Sequence, residues 1–125
     1  MKRIPTILLI EDEVDIAELM KDYLESNKYK VLVAATRNEA FFKINNQKFD
    51  CIISDISLRQ SDVTPVLKEL KTNQLGLNYK VPVIIHSGNV TGVILKQNKD
   101  LIKAVFVKPS STQDIVKSLQ SLIVE

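Results

Sequence analysis

Five positions carry side chains suited to handling a divalent cation and a phosphoryl group together. They are the acidic pair Glu11-Asp12, then Asp55, Ser87 and Lys108. Mg²⁺ takes about six oxygen ligands and keeps several waters, so a few carboxylates are enough to hold it. A bound cation would offset the mutual repulsion of Glu11, Asp12 and Asp55, which otherwise pushes one of them toward protonation. With the cation in place, Asp55 could act as a nucleophile toward phosphorus and form an aspartyl phosphate. The transferring group spreads charge over its equatorial oxygens. Mg²⁺, the Lys108 ammonium and the Ser87 hydroxyl would take one oxygen each.

Such chemistry needs the five side chains in one place, and the sequence supplies the means. Each stands just past a short apolar run: Ile7-Leu8-Leu9-Ile10, Cys51-Ile52-Ile53-Ser54, Val81-Pro82-Val83-Ile84-Ile85-His86 and Ala104-Val105-Phe106-Val107. If these runs are parallel strands, the five positions gather at the carboxyl edge of the sheet, where open α/β folds place their sites. Helical patterns alternate with the runs, which predicts an α/β fold with helices on both faces of a parallel sheet. Ile16, Leu19, Met20, Tyr23 and Leu24 mark a first amphipathic helix. Residues 29–35 read as a second strand of edge character, and 37–46 as a second helix. Val63, Val66, Leu67 and Leu70 mark a third helix, with Pro65 in its first turn, followed by a polar connection over 71–80. A fourth helix over 89–98 contains Thr91, Gly92, Val93 and Ile94, which are poor helix formers. The fifth begins at Ser111-Thr112-Gln113-Asp114, which resembles a capped start, and carries Ile115, Leu119, Leu122 and Ile123.

The chain has 125 residues, enough for one domain, 1–125, with a core of its own. A net charge of +2 without a basic run argues against nucleic acid. One cysteine excludes an intramolecular disulfide and fits a reducing compartment. The N-terminus lacks a signal-peptide layout, and no stretch approaches the ~20 apolar residues of a membrane span. The expected location is the cytoplasm.

The chain resembles the receiver domains of bacterial two-component response regulators. The matching motifs are Ile-Leu-Leu-Ile-Glu11-Asp12-Glu13, Ile-Ile-Ser-Asp55-Ile-Ser-Leu, Val-Ile-Ile-His-Ser87-Gly88 and Phe-Val-Lys108-Pro109. The resemblance implies a doubly wound, flavodoxin-like five-stranded parallel sheet of order 2-1-3-4-5 with five helices. It implies Asp55 as phosphoacceptor, with Mg²⁺ held by Glu11, Asp12, Asp55 and the main-chain carbonyl of Ser57. Ser87 would be the hydroxyl that follows the phosphoryl group on switching, and Lys108 its cationic partner. Ser57 and Asn89 would occupy positions that tune phosphoryl lifetime, and the Lys108-Pro109 peptide would be cis. The phosphoryl group would come from a histidine kinase or a phosphotransfer protein. A downstream output protein would be met through residues 89–125. The domain would catalyse only its own phosphorylation and dephosphorylation, so it is not expected to be an enzyme in the usual sense.

Several positions depart from the family pattern. Arg59 replaces a common proline, and Val63 replaces a common glycine, so the loop over 56–62 is expected to take another path. Val105 stands where a switch aromatic is usual, and Phe106 should point to the opposite face of its strand. Lys103-Ala104 replaces the usual Gly-Ala. These departures motivate an alternative, a degenerate receiver acting as a phosphorylation-independent interaction module. A flavodoxin-like electron carrier is disfavoured, because Glu11-Asp12-Glu13 would repel a flavin phosphate where a glycine- and hydroxyl-rich loop is needed.

Other residues have plainer readings. An acidic pair at a helix start is ordinarily capping, and Ser87-Gly88 alone is a common turn pair. His86 reads as an ordinary polar neighbour, Cys51 as a buried small hydrophobe, and Phe41-Phe42 as helix-to-sheet packing. Arg59 and Asp62 read as solvated loop charges, with Arg59 near enough in sequence to reach the phosphoryl group or a partner.

Overall fold

A computed structural model describes residues 3–123. The first strand, β1 (Thr6–Ile10), is followed by α1 (Val14–Ser26), β2 (Lys30–Ala34), α2 (Arg37–Asn46) and β3 (Cys51–Ser54). Two very short strands come next, β4 (Ser57–Leu58) and β5 (Ser61–Asp62), then α3 (Thr64–Thr72), β6 (Val83–Ser87), α4 (Gly92–Gln97), β7 (Ile102–Val107) and α5 (Thr112–Leu122). The main sheet has the order β2-β1-β3-β6-β7, and every pairing in it is parallel. With the β4-β5 hairpin set aside, that is the expected order 2-1-3-4-5.

Side chains alternate across a strand, and here both faces are apolar. Leu8, Ile10, Ile52, Val83 and Ile85 pack with Ala40 and Ile44 of α2 and with Val66, Leu67 and Leu70 of α3. On the other face, Ile7, Leu9, Cys51, Ile53 and Ile84 pack with Ala17, Met20 and Leu24 of α1 and with Ile115, Val116 and Leu119 of α5. Continuous apolar runs are what a sheet covered on both sides requires. Burial pushes the Cys51 thiol up to about 12, so it serves as packing and not as a nucleophile. No helix among the described residues is long and apolar enough to cross a membrane.

Several local expectations are corrected. The fourth helix spans only Gly92–Gln97 and buries no residue, in keeping with its poor formers. Phe41 packs against the core, but Phe42 is 69% exposed, so only half of that pair joins helix to sheet. The Ser111 side chain makes no capping bond to α5. Val63 has φ −85°, a conformation open to any residue, and is fully buried in the core. Its N–H donates to Ile56 O at 2.9 Å, closing the loop that carries the β4-β5 hairpin. No glycine is needed there.

Asn78 joins the connection before β6 to the end of α2. Its Nδ2 donates to Ile44 O (2.7 Å) and Gln47 O (2.8 Å), while its Oδ1 accepts from Phe49 N (2.8 Å). Buried backbone groups must find partners, and this side chain serves three of them. Nothing in its sequence context announced it.

Candidate phosphoryl and cation site

The parallel ladder delivers the site. Ile10 pairs with Ser54, Ser54 with Ile85, and Ser87 with Val107, so the strands end in step. The hydrogen bonding runs one residue further: Asp55 N donates to Ile10 O at 3.0 Å, and Lys108 N to Ser87 O at 2.9 Å. Asp55 and Lys108 therefore leave the sheet with their backbones still held, as does Glu11, whose N–H donates to Ala34 O at 3.0 Å. All five sequence-predicted positions meet at this edge.

Asp55 is 7% exposed, and both of its oxygens have partners. Oδ1 accepts from Ser87 Oγ at 2.6 Å and from Ser57 N at 3.2 Å. Oδ2 accepts from Lys108 Nζ at 2.7 Å. The same ammonium donates to Glu11 Oε1 at 2.8 Å, and Glu13 N donates to Glu11 Oε2 at 3.2 Å. Burial lifts the Glu11 carboxyl above its ordinary value of 4.5, although Lys108 and the Glu13 N–H oppose the shift. Burial also disfavours the Lys108 ammonium, but its bonds to Asp55 and Glu11 outweigh that and hold its pKa above the ordinary 10.5.

Glu11, Asp12 and Asp55 each offer a carboxylate oxygen, and these oxygens lie within 4.8 Å of one another. Three hard anionic donors at that spacing fit a small divalent cation. The two acids of the pair differ in setting. Glu11 is almost fully buried and engaged by Lys108, whereas Asp12 is half-buried and open to the cleft.

The remaining predicted positions fall around this centre. Ser57 lines the cleft and contacts Asp55 through its N–H, and Asn89 N donates to Ser87 Oγ at 3.3 Å. The Lys108-Pro109 peptide is cis. Val105 is 37% exposed and pairs with Ile85, while Phe106 packs on the opposite face with the α1/α5 core. No aromatic ring occupies the expected switch position. His86 is more than an ordinary polar neighbour: it is 6% exposed, and its Nδ1 has no hydrogen-bond partner. Burial and the Lys108 charge depress its pKa below 6.5, against a smaller opposing pull from Asp55. Sequence reasoning missed the Glu13 N–H that fixes Glu11, because a backbone donor leaves no mark in residue type.

A family model described as the response regulator receiver domain matches residues 7–120. Response regulator GtcR of Aneurinibacillus migulanus is 38% identical over 82 residues, taking in 66% of this chain and 32% of that protein. The chain thus spans about a third of the length of the curated relatives it matches. Among solved structures, a Francisella response regulator receiver domain superposes with a TM-score of 0.81 at 28% identity, covering 94% of this chain and 95% of that one. The chemotaxis protein CheY4 of Vibrio cholerae superposes with a TM-score of 0.84 at 23% identity, covering 97% of this chain and all of the other.

Proposed function

We propose, since the chain belongs to the response regulator receiver domain family, that it accepts a phosphoryl group on Asp55 and signals by the change that follows. The observation carrying this reading is the saturated setting of Asp55, clamped by Ser87, Ser57 N and Lys108 beside two further carboxylates. An Asp55 oxygen would form a bond to phosphorus as the donor's N–P bond breaks, and the departing imidazole of a kinase or phosphotransfer histidine would take up a proton. Asp12, Asp55 and the Ser57 main-chain carbonyl would hold Mg²⁺, with Glu11 behind them. The ion would neutralise charge on the transferring group. Lys108 already points its ammonium at Asp55 and would meet a second phosphoryl oxygen.

Ser87 would supply the switch. Its hydroxyl now donates to Asp55 Oδ1 and would turn to the phosphoryl oxygens once that carboxylate is phosphorylated. The segment after Ser87 would follow, altering the surface of α4, β7 and α5 that an output protein reads. Of the 89–125 range expected for that contact, residues 124 and 125 lie outside the described residues. The domain would act as a switch that turns over its own phosphoryl group and not another substrate, in the cytoplasm with its kinase.

A second reading rests on Val105: without the aromatic ring, the face could bind a partner regardless of phosphorylation. Intact-protein mass after incubation with Mg²⁺ and acetyl phosphate separates the two. A single phosphoryl adduct that requires Mg²⁺ and is absent from Asp55→Asn supports the receiver. No adduct, and no binding of beryllofluoride, would favour the constitutive module.

A further inference from the structure

Arg59 sits in the two-residue turn between β4 and β5, and its side chain lines the same cleft as Asp12, Asp55, Ser57 and Lys108. Among the described residues it has neither a hydrogen bond nor an ion pair. The turn is anchored on both sides, by the pairing of Ser57 with Asp62 and Leu58 with Ser61 and by Val63 N donating to Ile56 O. An unpaired guanidinium is therefore carried to the cleft mouth on a fixed support.

Charge gives this position its consequence. Asp12, Glu13 and Asp55 face the cleft and Glu11 lies beneath it, so four acids are set against the two cations Lys108 and Arg59. A bound Mg²⁺ brings that formal sum to zero. Without Arg59 the loaded cleft would stay negative, and a dianionic phosphodonor would approach against repulsion. Guanidinium also matches phosphate geometry better than a point charge does.

We propose that Arg59 is a specificity-determining residue of the phosphoryl site, favouring small dianionic phosphodonors that arrive without a carrier protein. This rests on the reading of Asp55 as phosphoacceptor. In the step concerned, an Asp55 oxygen bonds to phosphorus while the P–O bond of an acyl phosphate breaks, and acetate leaves with the electron pair. Arg59 would hold the incoming phosphate oxygens at the mouth while Lys108 and the cation meet them inside.

The test is the rate of labelling by acetyl phosphate, a dianion, and by phosphoramidate, which carries one net negative charge, on wild type, Arg59→Gln, Arg59→Lys and Arg37→Gln. Arg37 lines an adjoining groove together with Arg59 but not the cleft itself, so its variant controls for loss of one positive charge nearby. Arg59→Gln should slow acetyl phosphate labelling about threefold at low salt and affect phosphoramidate less. Arg59→Lys should retain most of the rate. The difference should fade near 1 M salt, where the screening length is about 3 Å. Equal rates for wild type and Arg59→Gln, or an equal loss in Arg37→Gln, would overturn the assignment of Arg59. Failure of wild type itself to label with either donor would instead overturn the phosphoacceptor reading.

Discussion

Lys108 Nζ lies 2.8 Å from Glu11 Oε1, joining residues 97 apart in sequence across the carboxyl edge of the sheet. The same ammonium reaches Asp55, so one cation answers two carboxylates that are nearly buried. Glu11 is thus tied to the far end of the chain as well as to its neighbours Ala34 and Glu13.

Replacing Lys108 by Met should cost about 3 kcal/mol at neutral pH without Mg²⁺, because it strands a buried carboxylate. Glu11, already raised by burial, would rise further. A raised carboxyl binds its proton more tightly in the folded state, so the variant's stability should fall as pH rises above 4.5. Urea unfolding at pH 5 and pH 7.5 measures this. A loss of the same size at both would mean that the stranded charge is not the cause.

His86 is the chain's sole histidine, so its ring protons give one unambiguous set of resonances. Their titration midpoint should lie below 6.5, since burial and then Lys108 both disfavour the imidazolium. Stability should correspondingly decline as pH drops below 6.5, where the unfolded chain takes up a proton that the folded one resists. Lys108→Met should move the midpoint upward without restoring it fully, because burial remains. A midpoint at or above 6.5 in the wild type would contradict the buried, unpaired setting.

Val63→Gly should destabilise by about 3 kcal/mol, combining lost burial with the added freedom of glycine. The family's usual residue would be the wrong one for this loop, since Val63 fills the core at an ordinary φ. Thermal or urea melts suffice to check it, and a variant as stable as wild type would show that the side chain packs loosely.

Asn78→Ala should cost about 2–3 kcal/mol, as three backbone groups lose their shared partner. Amide exchange at Phe49 should accelerate in step with the loss measured in urea. An unchanged Phe49 amide would place its protection elsewhere.

The parts of this molecule visible from sequence are those repeated over enough residues to form a pattern. Four apolar runs, each closed by a polar side chain, announced both the sheet and the edge at which Glu11, Asp55, Ser87 and Lys108 meet. The two-residue alternation of side chains along a strand also assigned Val105 and Phe106 to opposite faces. The hairpin over 57–62 left no trace, because two-residue strands are too short to show a period. The roles of Asn78 and of the Glu13 N–H were equally hidden, for each depends on where a distant backbone group comes to rest. Phe42 looked like a core residue by type alone, but it lies off the face of α2 that carries Ala40, Phe41 and Ile44 to the core.

The short helix α4 buries none of its residues, although it begins five residues after Ser87. An element with so little apolar surface at stake opens at a free energy well below that of global unfolding. Amides over 92–97 should therefore exchange with solvent long before those of β1 or β3. A hydroxyl turning toward a phosphate would shift such a segment between ordered and frayed ensembles at the expense of little more than the contact of the partly buried Ile94 with the α2/α3 core. In this receiver the signal would travel as a change in local order, which a partner can read by folding the helix against itself.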